Sequence, residues 1–330
     1  MKALVVIEDN SIAIEDISKP QPGPGEVRVK LEAVSINKRD YWISKGKYPG
    51  IVPGTVLGSD GAGNIDQIGE GVSKTWLDRA VIINPNVNWG NDPLVQGKDY
   101  TILGMPTNGT FAEYVVVNVD RVINMPNHLN YHEAAALPLA ALTAYRACFH
   151  HGKFGEGDKV LISGFGGGVA HFAFLFAKAT GAMVSITSGH EKNLVTAKEL
   201  GADQCFNYRS ANWIEEAALK PGGYDLIIDS AGGDQFNGLI QLLNPGGKIV
   251  FYGASNGLPD KLDLYRLFWK QGTIQGSTMG NDEEFKAMVK YVEQYSITPL
   301  ICHKYPFDQI VNAIEQMDNR NIAGKNIVML

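Results

Sequence analysis

Between residues 159 and 180 an apolar run, Lys159 to Ser163, breaks into Gly164-Phe165-Gly166-Gly167-Gly168-Val169-Ala170 and continues as an apolar, helix-patterned stretch to Thr180. Strand, glycine turn and helix in that order constrain the fold more than any other feature of the chain. A turn this tight needs residues without a Cβ, and its amides then sit at the positive end of a helix, where the pyrophosphate of a dinucleotide binds. Gly164, Gly166 or Gly167, and Ala170 fit the GxGxxG/A spacing, the alanine allowing close packing of helix on strand. Gly164, Gly166, Gly167, Gly168 and Val169 are therefore the candidate pyrophosphate residues. The competing reading is a glycine turn that serves packing alone.

Strand and helix alternate on the carboxyl side of this turn: strand 182–187, helix 191–200, strand 204–208, helix 212–219, strand 224–229, helix 235–243 and strand 248–252. Val160-Leu161-Ile162 and Leu226-Ile227-Ile228 are continuously apolar, as expected where helices cover both faces of a sheet. The pattern predicts a doubly wound parallel sheet, α/β in class. The second strand ends at Thr187-Ser188, 188 − 164 = 24 positions past the first glycine, where an NAD-binding sheet carries an acid for the adenosine ribose. Ser188 instead donates a hydrogen bond without repelling a 2′-phosphate, and Lys192 supplies a positive charge for it. NADPH is expected over NADH; Glu191 as the ribose acceptor is the alternative.

The first part of the chain, to about residue 122, reads as short alternating strands (2–7, 12–16, 26–35, 80–84 and 112–117) of an irregular, barrel-like β domain. Pro20-Gln21-Pro22-Gly23-Pro24-Gly25 sustains neither helix nor ladder and forms a loop. Residues 134–149 read as one helix, and after Met279 a helix over 283–294, a last helix and a strand return to the first domain. A formal net charge of −6 gives no general attraction to nucleic acid or an anionic membrane, and glycines or charges interrupt the longest apolar stretches, so no membrane span is expected. Cys148, Cys205 and Cys302 are scattered and odd in number, which suits free thiols in a reducing cytoplasm, and the N-terminal apolar run is too short for a signal peptide.

Several ordered motifs resemble the medium-chain dehydrogenase/reductase family, in its zinc-independent branch related to quinone oxidoreductases. They are Pro22-Gly23-Pro24-Gly25-Glu26-Val27, Asn37 with Asp40, Gly58-Ser59-Asp60-Gly61-Ala62-Gly63, Gly109-Thr110-Phe111-Ala112-Glu113-Tyr114, residues 134–145, the glycine turn, and Ala197-Lys198-Glu199-Leu200-Gly201-Ala202-Asp203. The resemblance spans nearly the whole chain. It implies a GroES-like β-barrel catalytic domain over 1–125 and 277–330, a Rossmann NAD(P)-binding domain over 126–276, and an active site in the cleft between them. A cytoplasmic homodimer is expected.

The same resemblance implies where zinc ligands would sit: a Cys near residues 37–40, a His-Glu pair where this chain has Ser59-Asp60, a third ligand near Leu139, and four cysteines within 85–105. This chain supplies none of these sets. Nor do its histidines pair at helical i, i+4 spacing; His128 and His132 are four apart, but Pro126 and Asn130 suggest a turn there. No metal is expected. Hydride transfer without a Lewis acid favours conjugated carbonyls, a quinone or an enone, because the developing charge is delocalised and hydrogen-bond donors suffice.

Asn37-Lys38-Arg39-Asp40 through Tyr48 resembles the family's Asn-x-x-Asp-(x)3-Arg-x-Gly-x-Tyr segment, with Ser44 in place of the arginine. Asn37 and Tyr48 are the expected catalytic donors, and Trp42 and Ser59 the expected substrate contacts. Similarity adds cofactor contacts from Thr143 at a helix start, Tyr208, Ser230, Gly253-Ala254 and Asn326. Residues just past the carboxyl ends of parallel strands line the ligand crevice, an independent reason for Tyr208, Ser230 and Gly253-Ala254. The expected function is NADPH-dependent reduction of a small-molecule quinone, enone or related carbonyl. A nucleotide-binding sensor with little turnover and a zinc-type alcohol dehydrogenase are the alternatives.

Overall fold

The computed structural model describes residues 1–8, 11–220, 222–318 and 323–330 of the chain. They divide into two compact units, one of residues 1–142, 280–318 and 325–330 and the other of residues 143–279 and 323–324.

Unit one is a β domain. Its strands are β1 (Lys2–Val6), β2 (Ile12–Asp16), β3 (Glu26–Ser35), β4 (Asp60–Ile68), β5 (Ala80–Ile83), the short pair β6 (Asn86–Val87) and β7 (Thr101–Ile102), β8 (Tyr114–Asn118) and β9 (Val122–Asn124). Helix α1 (Lys38–Ser44) leaves the end of β3, and α2 (Tyr131–Ala135) and α3 (Pro138–Tyr145) follow β9. Strand β3 is the hub: it pairs antiparallel with β4 and with β8. Its Val27, Val29, Leu31 and Ala33 are buried, each apolar side chain contributing about 1–3 kcal/mol by leaving water.

The glycine-rich stretch around residue 60 is strand β4, which the sequence pattern did not reveal. A Cβ on Gly63 would stand 2.0 Å from the Lys30 carbonyl oxygen, so glycine is required where β4 crosses close to β3. The helix expected over 134–149 is broken. Pro138 starts a new helix, where its missing N–H is one of the unpaired amides anyway, and Arg146–Gly152 continues as a π-helical turn.

Unit two carries β10 (Lys159–Ile162), α4 (Gly168–Thr180), β11 (Met183–Ser188), α5 (Glu191–Glu199), β12 (Gln204–Asn207), α6 (Trp213–Leu219), β13 (Tyr224–Asp229), α7 (Phe236–Leu242), β14 (Leu243–Phe251), α8 (Leu264–Trp269) and β15 (Thr273–Gly276). The strands form a parallel sheet in the order β12-β11-β10-β13-β14-β15. Val160, Leu161 and Ile162 at its centre are fully buried, as are Phe172, Phe174 and Phe176 of α4. Gly181 closes α4 in the left-handed conformation at φ 84°. This is the doubly wound sheet expected from the continuous apolar strands. β14 starts earlier than expected, at Leu243, with a register shift against β13.

The chain then returns to unit one as α9 (Asp282–Gln294), β16 (Ile301–Pro306), α10 (Ile310–Glu315) and β17 (Lys325–Met329). β17 lies parallel to β16 and antiparallel to β3, which brings Lys325 next to the end of the hub strand. Among the described residues no helix is long and apolar enough to cross a membrane.

Candidate functional site

In unit two the polypeptide leaves β10 through Ser163 and turns at Gly164 (φ 69°) and Gly166 (φ 152°), conformations that L side chains rarely adopt. The Gly164 amide donates to Thr187 Oγ1 (3.1 Å) and the Phe165 amide to the Thr187 carbonyl (2.7 Å), tying the turn to the end of β11. A Cβ on Gly164 would meet no atom within 4 Å, and one on Gly167 only the Gly164 carbonyl at 3.9 Å. The open side of the turn is therefore a cradle kept free of side chains. Gly167 precedes α4, whose first amides, at Gly168, Val169 and Ala170, have no carbonyl within the helix to bond. Those amides and the helix dipole suit a pyrophosphate.

The neighbouring loops belong to the same end of the sheet. The Ser163 hydroxyl donates to Asp229 at the end of β13, and the other oxygen of Asp229 accepts from the Ala231 and Gly232 amides (3.1 and 2.9 Å). Ser230 follows, its carbonyl accepting from the Ser255 amide at 3.1 Å; a Cβ on Gly253 would lie 3.3 Å from that carbonyl. Ala254 is exposed beside it. At the end of β11 the buried Ser188 Oγ accepts from the His190 amide and from Asn193 Nδ2, both at 3.4 Å, which leaves its own O–H to donate. Lys192 is exposed in the first turn of α5. Tyr208 packs on Gly189 so closely that a Cβ there would stand 2.6 Å from its hydroxyl. The structure thus brings the glycine turn, Ser188, Tyr208, Ser230 and Gly253 to the carboxyl ends of the strands, where a ligand crevice is expected.

Thr143 departs from expectation. It lies inside α3 and not at a helix start, because Pro138 sets the first turn five residues earlier; it is buried, with its hydroxyl 3.8 Å from Met279 Sδ.

In unit one the polar residues gather around the start of α1. The Asn37 amide donates to Asp40 Oδ2 (2.8 Å), capping the helix. Asn37 Nδ2 donates to Asp60 Oδ2 (2.8 Å), and Lys325 Nζ donates to Asn37 Oδ1 (2.6 Å) and to Asp60 Oδ2 (3.2 Å). The Leu139 amide completes Asp60 at Oδ1 (2.8 Å). Asn37, Asp40, Asp60 and Lys325 are all buried. Burial raises the Asp60 carboxyl against the opposing pull of Lys325 and Asn37, and raises Asp40 to about 6 despite Arg39 beside it. Asp40 Oδ1 has no hydrogen-bond partner among the described residues.

Arg39 runs inward from the same helix. Its Nη1 donates to Ser59 Oγ (2.6 Å) and the Leu103 carbonyl (2.9 Å), and its guanidinium lies 5.0 Å from the centre of the Tyr48 ring, whose hydroxyl accepts from Nε at 3.4 Å. Ser59 also donates to the Leu103 carbonyl (2.8 Å) and is fully buried. Expected as a substrate contact, Ser59 also holds Arg39, accepting one hydrogen bond and donating one inside the domain. Trp42 is half-buried, edge-on to Tyr41 at 5.3 Å. Asn326, expected at the cofactor, is buried in β17; its amide accepts from Cys302 Sγ (2.9 Å) and donates to Met317 Sδ (3.3 Å).

Sequence reasoning missed Lys325 and Arg39. Arg39 lies two residues from Asn37, inside the very segment that carried the motif. For Lys325 the signal was a lone charge opening the apolar strand Asn326-Ile327-Val328-Met329.

The residues at the positions implied for a catalytic zinc do not fit a metal. Asn37 and Leu139 offer no anionic or imidazole donor, Ser59 is engaged with Arg39, and the Asp60 carboxylate is held by an ammonium, an amide side chain and a backbone N–H. Among the described residues no three His, Cys, Asp or Glu side chains group as a metal site.

Comparison with known proteins covers both units. Residues 23–127 match the alcohol dehydrogenase GroES-like domain, and residues 168–294 match the zinc-binding dehydrogenase family. The zinc-type alcohol dehydrogenase-like protein YogA of Leptosphaeria maculans is 34% identical over 94% of this chain and 90% of its own. The quinone oxidoreductase of Homo sapiens is 27% identical over 96% of this chain and 92% of its own. A crystal structure of an NAD-dependent alcohol dehydrogenase superposes with a TM-score of 0.94 at 33% identity, each chain covered completely.

Proposed function

From the premise that this chain belongs to the medium-chain dehydrogenase/reductase superfamily and is an NAD(P)H-dependent oxidoreductase, we propose that it reduces a quinone, enone or related conjugated carbonyl with NADPH and without zinc. The observation that carries this reading is the buried Lys325 ammonium seated on Asn37 and Asp60, at positions where zinc-holding members of the family would place ligands. A primary or secondary alcohol needs a metal or strong base to lose its proton, whereas a conjugated carbonyl needs only donors at the oxygen.

Gly166, Gly168 and Val169 hold the pyrophosphate through backbone amides, while Gly164 and Gly167, whose amides are used within the turn, keep its approach free of side chains. The Ser188 hydroxyl and the Lys192 ammonium take the 2′-phosphate, and Tyr208, Ser230, Gly253 and Ala254 line the nucleotide. Thr143 and Asn326 are further contacts to the nucleotide. NADPH, when bound, would supply the hydride, and the negative charge left on the acceptor's oxygen would be held by hydrogen bonds until a proton from water neutralised it. Asn37 Nδ2 donates to that oxygen. Tyr48, held by Arg39, presents a hydroxyl and a ring edge, and Trp42 provides an apolar wall.

The protein works as a homodimer in the cytoplasm. Leu264, Tyr265, Phe268 and Trp269 expose an apolar face on α8, just before the terminal sheet strand β15, which a second copy would cover. Cys148, Cys205 and Cys302 are free thiols, as a reducing compartment keeps them.

Loss of NADPH absorbance across a panel of quinones and enones, with metal analysis of the same preparation, tests the reading. Turnover by metal-free protein is expected. Tight NADPH binding with no turnover on any acceptor would favour a nucleotide sensor; stoichiometric zinc with chelator-sensitive alcohol oxidation would favour the zinc-type enzyme. Either result overturns the proposal.

A further inference from the structure

We infer that Lys325 is a positioning residue that both fixes and polarises the Asn37 amide, so that the chain's own ammonium strengthens the donor offered to the substrate oxygen. This rests on the reductase reading above and deepens it. The orientation of an asparagine amide is ordinarily ambiguous, since oxygen and nitrogen look alike. Here chemistry settles it. An ammonium has no acceptor capacity, so the atom 2.6 Å from Lys325 Nζ is the amide oxygen. The opposite atom, 2.8 Å from Asp60 Oδ2, is therefore Nδ2.

The three side chains form a closed triangle, because Lys325 also reaches Asp60 Oδ2 at 3.2 Å. Asp60 is itself pinned by the Leu139 amide at Oδ1, and its backbone carbonyl accepts from Thr110 Oγ1 at 2.8 Å. Asn37 is held from below by the bond from its own N–H to Asp40. No rotation of the amide is possible without unpairing a buried ion.

Of the two Nδ2 hydrogens, Asp60 takes one; the other is uncommitted among the described residues. A cation on the amide oxygen draws electron density from nitrogen, which makes that remaining N–H a stronger donor, the cooperative polarisation of linked hydrogen bonds in a low-dielectric site. A donor aimed at an oxygen that gains charge on hydride addition lowers the barrier by the amount it strengthens in the transition state. Lys325 delivers positive charge to the reaction through one amide group, without touching the substrate.

Three proteins test this: K325M, which keeps length and loses charge; K325R, which keeps a cation; and K325M/D60N, which removes both charges so that no buried carboxylate is left unpaired. Each is checked by thermal melting and by NADPH affinity. K325M is expected to lose about 10- to 100-fold in kcat on an enone, with KM changed less than about threefold, and K325R to recover most of the loss.

The spectroscopic arm uses benzylideneacetone bound to the NADP+-loaded protein, which cannot turn over. Its carbonyl infrared band should shift to lower frequency in the wild type, less so in K325M and K325M/D60N, and nearly fully again in K325R. A carbonyl band identical in the wild type and both charge-free variants overturns the inference, even if those variants are slow, because a packing defect alone leaves donor strength unchanged. Wild-type kcat in folded K325M overturns it as well. If the wild type shifts the band in a Lys325-dependent way yet reduces no acceptor, the inference stands and the reductase reading falls.

Discussion

On the proposed reading the coenzyme preference turns on two side chains at the end of β11 and the start of α5, and S188D measures it. Ser188 is buried, and its Oγ already accepts from the His190 amide and Asn193 Nδ2 at 3.4 Å each, so a carboxylate placed there inherits two donors and the fold tolerates it. For NADPH the change removes a hydroxyl donor to a charged phosphate, about 1.5–3 kcal/mol. It also adds repulsion between carboxylate and phosphate of about 1 kcal/mol after screening. For NADH the new carboxylate accepts from the ribose hydroxyls, a gain of about 1 kcal/mol. The sum, about 4 kcal/mol, is a swing of roughly 10³-fold in relative affinity, since each 1.4 kcal/mol is tenfold. Lys192 is exposed, and its contact with a phosphate is worth only ~0.2–1 kcal/mol, so K192A weakens NADPH up to about fivefold and leaves NADH unchanged. Calorimetric titration of both coenzymes against the wild type, S188D and K192A reads all of these numbers. Wild-type protein that binds NADH more tightly than NADPH, or S188D that keeps the wild-type ratio, refutes the assignment.

Other expectations concern stability and assembly. Burial raises Asp40 from its unperturbed 3.8 to about 6, so the native state holds this proton more tightly than the unfolded chain does. Stability is therefore lost as pH rises from about 4 to about 6, by roughly 2–3 kcal/mol in all, and D40N should melt higher than the wild type at pH 7.5 with the gap closing toward pH 4. G63A should fail to fold or lose more than about 3 kcal/mol, since its methyl group meets the Lys30 carbonyl oxygen, whereas G164A should lose about 1–2 kcal/mol to its positive φ. G164A should also weaken NADPH binding by putting a methyl group into the open cradle; unchanged affinity in calorimetry would place the pyrophosphate elsewhere. Y265E/W269E on α8 should halve the mass seen by light scattering while leaving reductase turnover within about twofold, and an unchanged mass would locate the dimer contact away from this helix.

What could be read from the sequence follows the range of the interactions involved. The glycine turn, the apolar strands β10 and β13 and the caps of α4 are local: period, Cβ-less residues and a left-handed glycine declare themselves within about ten positions. Strand β4 did not, because Gly61 and Gly63 lower its strand propensity for a reason that lies in Leu31 and Lys30 on another strand. The polar triangle is more remote still, Lys325 and Asn37 being 288 positions apart. Asn37 and Tyr48 are expected through a resemblance, and that route points to residues that match a motif, not to those that bond to them from elsewhere in the chain.

Lys325 matches no motif of that kind. A buried carboxylate at Asp60 demands a positive partner, since an unpaired one costs several kcal/mol. Among the described residues Lys325 meets that demand, its ammonium 3.2 Å from Asp60 Oδ2. That requirement was open to inference from the start. Once Ser59-Asp60 is read as a ligand pair lacking its imidazole, an acid with no visible counter-ion stands in a buried glycine-rich strand, and the lone lysine that opens the last apolar strand is a candidate to neutralise it. Covalent supply has a consequence that a metal lacks. The ammonium belongs to the chain and cannot be chelated away, and on the inference drawn above its influence on the substrate passes through the amide of Asn37. On the proposed reading, the acceptors this site would reduce are then those whose charge a polarised N–H is strong enough to hold.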